Sequence, residues 1–100
     1  MTTNTETVTK TTSVVQEIPR FRVAMLNDDY TPMEFVVAVL CQIFAKPAEE
    51  AEQIMLDIHH NGRGICGVFS REIAEAKVAQ VELAARRHEH PLLCLMEEDI

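Results

Sequence analysis

Apolar and polar positions partly alternate over Phe21-Arg22-Val23-Ala24-Met25-Leu26, and the pattern then breaks at Asn27-Asp28-Asp29. A period near two in β-compatible residues, followed by residues that favour turns, predicts one strand and then a loop. From Met33 the period lengthens: Met33, Val36, Val37, Leu40, Ile43 and Phe44 recur at helical spacing and form a wide stripe. Thr31-Pro32-Met33-Glu34 supplies the start signal. Thr31 is the expected cap, Pro32 takes the first helical position where no amide donor is needed, and Glu34 completes a capping box. Pro47 restarts a helix after Ala45-Lys46, with Glu49 and Glu50 suited to the positive end of its dipole and Ala51, Ile54, Met55 and Ile58 as its stripe. Asn61-Gly62 should end it, because glycine readily takes the left-handed conformation of a helix C-terminus. Ile65 to Phe69 reads as a short buried strand, Ser70 can cap a third helix with the stripe Ala74, Val78, Val81 and Ala85, Pro91 bars further helix, and Leu92 to Met96 make a last strand. The order β-α-α-β-α-β predicts a single small α+β domain, three helices packed on a three-stranded antiparallel sheet.

The patterning does not reach the N-terminus. Residues 1–18 hold seven threonines and no aromatic, too little apolar surface to offset an ordering cost of about 1–2 kcal/mol per residue. Residues 1–19 are therefore expected to form a flexible tail ahead of a folded domain over 20–100. One hundred residues, 47% hydrophobic and 25% charged, suffice for one modest core and exclude a multidomain enzyme. A formal charge of -7 repels phosphate backbones, so nucleic acid is not an expected partner. The longest apolar runs, such as Phe35 to Leu40, fall far short of the roughly 20 residues of a membrane helix, and no basic segment leads into an apolar one at the start of the chain. A cytoplasmic protein with no membrane partner is expected. Cys41, Cys66 and Cys94 sit among apolar neighbours with neither disulfide nor zinc spacing, and core packing is their expected role.

The catalytic inventory is nearly empty. Asn27 to Glu34 places two adjacent carboxylates and an amide at a strand-to-helix turn; turn and cap chemistry accounts for these residue types, and so does a binding loop on a rigid scaffold. His59 and His60 fall in the last turn of the second helix, where imidazolium suits the dipole, and His88-Glu89-His90 lacks zinc spacing. No nucleophile elbow, glycine-rich phosphate loop or metalloprotease helix occurs. Neither a cofactor nor a metal is expected, and the chain does not read as an enzyme.

Taken together, Asn27-Asp28-Asp29-Tyr30-Thr31-Pro32-Met33-Glu34-Phe35-Val36, His59 with Gly62 and Gly64, Ile65-Cys66-Gly67-Val68-Phe69, Ala74-Glu75 with Lys77-Val78, and Glu89-His90-Pro91-Leu92-Leu93-Cys94 resemble the bacterial ClpS adaptor family over about residues 21 to 95. The resemblance implies a fold similar to the C-terminal domain of the ribosomal stalk protein. It also implies a function: binding N-degron substrates by a free N-terminal Leu, Phe, Tyr or Trp and delivering them to the N-terminal domain of the ClpA unfoldase of ClpAP. Carried onto this chain, the groups that hold the α-amine fall on Asn27, Asp28, Asp29 and His59. The side-chain pocket falls on Thr31, Met33, Val36, Met55, Ile58 and Leu92, and the unfoldase-facing positions on Glu72 and Lys77. The rival reading is a stalk-like structural or assembly domain with the same fold and no pocket.

Overall fold

A computed structural model describes residues 18–99. Strand β1 (Phe21–Leu26) lies between β2 (Arg63–Phe69) and β3 (Leu93–Glu98) and pairs antiparallel with both. Helix α1 (Met33–Gln42) and helix α2 (Ala48–Asn61) follow β1, and α3 (Arg71–Arg87) joins β2 to β3. This is the α+β order read from the patterning. Apart from Ile18 and Pro19, the tail expected over 1–19 lies outside the described residues.

The core forms where the inward positions of β1, Phe21, Val23 and Met25, meet the helical stripes, including Val36, Leu40, Ile54, Ile58, Ala74 and Val81. Cys66 and Cys94 join them from the flanking strands, and burial pushes both thiols up to about 12, which leaves them small hydrophobes. Val23 and Ala24 carry a register irregularity against β2. On the sheet's outer face Glu97 accepts from Arg63 at 2.6 Å and from Arg22 at 3.2 Å, linking all three strands by one partly exposed charge cluster.

Several local expectations are corrected. Thr31 does not cap α1: its hydroxyl donates to Asp28 instead, and the Pro32 carbonyl accepts the first helical amides, from Phe35 and Val36. A carboxylate acceptor three residues back binds that hydroxyl more strongly than a neutral backbone group would. Pro32 and Pro47 are therefore the extended residues just before their helices, each a position earlier in its helix than expected. Ser70 occupies the cap position of α3 without a side-chain cap bond. Strand β2 begins at Arg63, and Ile65 is 40% exposed, because the helices cover one sheet face only. Strand β3 is shifted to Leu93–Glu98, leaving Leu92 buried just ahead of it. Helix α1 stops at Gln42, where Ala45 turns left-handed (φ 55°) and the Lys46 amide reaches back to the Leu40 carbonyl.

Candidate functional site

One carboxylate organises the loop between β1 and α1. Asp28 Oδ1 accepts from the Tyr30 and Thr31 amides at 2.8 and 2.7 Å, and Oδ2 accepts from the Thr31 hydroxyl at 2.8 Å. Aspartate is suited to this role because its short side chain reaches amides two and three residues on. Partial burial pushes the Asp28 carboxyl up, but the Thr31 and Tyr30 hydrogen bonds and the nearby charge of His90 outweigh it and hold the group below its ordinary 3.8. At the loop's start the Asn27 amide donates to the Gly62 carbonyl at 2.9 Å, which fastens the loop to the C-terminus of α2.

Helix α2 is placed by two glycines. Gly62 takes φ 90°, so the helix can end with the Gly62 amide on the Ile58 carbonyl and the chain can turn at once into β2. Gly64 marks the closest approach to the sheet, since a β-carbon there would stand 2.7 Å from Ile58 Cγ1 and 3.2 Å from the Ile54 carbonyl oxygen. Together they bring the last turn of α2 against the loop.

Between these elements lies a cavity of about 230 Å³. Asn27, Asp28, Asp29 and Thr31 line it from the loop, Met33 and Val36 from α1, and Met55, Ile58 and His59 from α2. Its polarity is graded. Val36 and Ile58 are buried apolar walls, Met55 is half-buried, Met33 is 44% exposed, and Asn27, Asp29 and His59 are exposed on the rim. No Lys or Arg lines it, and the C-terminal carbonyl end of α2 adds partial negative charge. The polar half is thus suited to a cation and the apolar half to an uncharged hydrophobic body. A cavity of about 150 Å³ can take a benzene ring, so the volume admits a benzyl or isobutyl group. The lining hydroxyl, that of Thr31, is already engaged with Asp28, and the site presents no activated nucleophile.

Nine of the residues singled out from the sequence share this cavity. Leu92 does not line it: it is 5% exposed and borders a separate depression with Glu82, Ala85 and Pro91. Glu72 is exposed in the first turn of α3, beside a groove that includes Ile18 and Phe21. Lys77 is half-buried; its Nζ donates to the Ile43 carbonyl at 2.7 Å and stands about 6 Å over the Phe44 and Phe69 rings, joining α3 to the end of α1. Sequence reasoning missed His90, whose ring lies edge-on to Phe35 at 4.6 Å and whose charge reaches Asp28. Its placement depends on Glu89 turning left-handed (φ 59°) after α3, which no residue pattern signals. Among the described residues no group of three or more His, Cys, Asp or Glu is arranged to hold a metal ion, and no helix is long and apolar enough to cross a membrane.

Residues 16–95 match the family model for the ATP-dependent Clp protease adaptor protein ClpS. The chain is 56% identical over 92 residues to the ATP-dependent Clp protease adapter protein ClpS of Phenylobacterium zucineum, a match covering 92% of this chain and 84% of that protein. It is 61% identical over 80 residues to the protein of the same name from Xanthomonas oryzae pv. oryzae, covering 80% and 76%. The solved structure of Agrobacterium tumefaciens ClpS2 bound to L-phenylalaninamide aligns with a TM-score of 0.80 at 31% identity, over 83% of this chain and 100% of that one.

Proposed function

Because the chain belongs to the ClpS family of Clp protease adaptors, we propose that it captures proteins by a free N-terminal Leu, Phe, Tyr or Trp and hands them to the ClpA unfoldase for degradation by ClpAP. It acts as an adaptor and catalyses no reaction. The observation that carries this reading is the graded cavity, in which an acceptor-rich rim stands over an apolar floor. A free α-amine has a pKa of about 7.7–8.0 and is largely cationic at neutral pH, with three protons to donate. Asn27 and Asp29 offer acceptors on the rim with His59 facing them, while Asp28 shapes the loop and contributes negative charge. Each charge-assisted bond contributes about 1.5–3 kcal/mol, and burying a Leu or Phe side chain about as much again, before association costs are subtracted. L-Phenylalaninamide, the ligand of the Agrobacterium relative, has the free amine and benzyl group this division of labour calls for, with an amide where a chain would continue. That similarity supports the reading.

The unfoldase is taken to dock on the α3 side, where Glu72 is exposed and Lys77 half-buried. An adaptor of a soluble protease works in the cytoplasm, and the described helices, none able to span a membrane, accord with that. The stalk-like alternative offers no reason for the graded cavity. The deciding experiment is fluorescence anisotropy with peptides that begin with Phe, each with a free or an acetylated α-amine. Micromolar binding of the free peptide and none of the acetylated one is expected, because acetylation removes the charge and two of the three donors. Equal binding of both would overturn the assignment of the site.

A further inference from the structure

The chain's four phenylalanines are buried or half-buried, whereas its one tyrosine, Tyr30, is 79% exposed. Exposure alone is ordinary for a single large side chain. Position and rigidity set this one apart. Asp29 and Thr31 on either side of it both line the cavity, and Tyr30 between them is exposed and does not. The backbone carrying the ring is held by the same carboxylate that shapes the site, with the Tyr30 and Thr31 amides on Asp28 Oδ1 at 2.8 and 2.7 Å. A tyrosine on a fixed backbone has only two side-chain torsions left to order, so it offers contact area at low entropic cost.

The proposed guest brings its second residue to this place. Its α-amine and the rest of its chain leave the same carbon, and the next Cα follows at about 3.8 Å. A guest whose amine is held by Asn27 to Asp29 therefore sends its second residue out beside the loop that carries Tyr30. Along the loop itself the charge is of one sign, with Asp28, Asp29 and Glu34 acidic and no Lys, Arg or His within residues 27–36; the basic groups nearby come from other elements, His59 lining the cavity from α2 and His90, whose charge reaches Asp28. An aromatic face in negative surroundings is a favourable seat for a guanidinium, which is planar, weakly hydrated and always charged.

We propose that Tyr30 is a specificity-determining residue that reads the guest's second position, favouring arginine there by stacking the guanidinium on its ring. The proposal rests on the N-terminal-residue reading above. It is tested by anisotropy titration of free-amine peptides beginning Phe-Arg, Phe-Gly and Phe-Asp, otherwise identical, against the intact protein, Tyr30→Phe and Tyr30→Ala. The intact protein should bind Phe-Arg about three- to fivefold more tightly than Phe-Gly, the scale of an exposed cation–π contact. Tyr30→Phe should keep that ratio, since the ring carries it. Tyr30→Ala should bring the ratio close to one, with acetylated peptides still rejected. A Tyr30→Ala protein that keeps the intact ratio overturns the proposal and assigns the preference to the carboxylates. An equal loss for all three peptides also overturns it, making Tyr30 a support of the site. Indifference of the intact protein to the second residue overturns it as well, while leaving first-residue recognition standing. Failure of the intact protein to bind even Phe-Gly is the separate outcome that removes the parent reading.

Discussion

Gly64→Ala would set a methyl group against α2 where that helix lies closest to β2. The new carbon would stand 2.7 Å from Ile58 Cγ1 and 3.2 Å from the Ile54 carbonyl oxygen, against a favourable separation of about 3.5–4.0 Å between carbons. The Ile58 side chain can turn partly aside, but the Ile54 carbonyl moves only with its helix. Overpacking of this kind costs about 1–3 kcal/mol. An opposing effect is smaller: Gly64 does not have a left-handed φ, so alanine there also restricts the unfolded chain and returns about 0.4–1 kcal/mol. The net expectation is a destabilisation of about 1–2 kcal/mol, or a fall in Tm on the order of 5–15 °C for a domain of this size. Ile58 walls the cavity and His59 follows it, so affinity for a Phe-started peptide should fall as well, even well below the melting range. Circular-dichroism melts and anisotropy on the same preparation measure both. Gly67→Ala is the internal comparison: the atoms nearest its β-carbon belong to the Phe69 side chain and not to backbone, so its effect should be smaller. An unchanged Tm together with an unchanged affinity for Gly64→Ala would refute the seating of α2 through this glycine.

Asp28→Ala removes three hydrogen bonds from a part-exposed loop and should destabilise by about 1–3 kcal/mol. Because the folded pKa lies below 3.8, the carboxylate's contribution is complete above about pH 4 and is lost as pH falls through the folded value; a Tm difference between intact protein and variant that does not shrink in acid refutes this. Ala45→Gly relieves a left-handed alanine (φ 55°) and should stabilise by about 0.5–1 kcal/mol after glycine's entropic cost; a melt showing no rise contradicts it. Met33→Ala should open the cavity mouth to β-branched first residues, raising the ratio of Ile-peptide to Leu-peptide affinity, and an unchanged ratio would make Met33 wall and not gate.

The helices were legible because their stripes are long and punctuated. Pro32, Pro47 and Pro91 bound them, and Gly62 ends α2 with the geometry its residue type suggests. Strand limits were less so, since β2 and β3 are covered on one face only and their outer residues, Ile65 and Leu93, are as apolar as their inner ones. The cavity lining was reached through family resemblance, because an apolar stripe alone does not say which of its members, such as Met33 and Met55, stand at an opening. Asp28 was legible as one of three turn residues, and its bonds to the Tyr30 and Thr31 amides agree with that; its hold on the Thr31 side chain was not, because that hydroxyl could serve either the helix or the carboxylate, and only the folded loop decides between them. His90 escaped because its position hangs on one left-handed residue far along the chain.

The loop bonded to Asp28 and fastened to Gly62 has consequences for timing. A receptor whose recognition loop is already in place has little to order when a guest arrives, so arrival should be governed by diffusion and charge and should vary little from one first residue to another. Discrimination then falls on departure. Guests that fill the apolar floor stay longer, and the dwell time, not the capture rate, decides which of them are still bound when the unfoldase engages. Stopped-flow association and competition-chase dissociation of Leu-, Phe- and Ala-started peptides would separate the two steps, and a spread concentrated in association would mean that the loop reorganises after all.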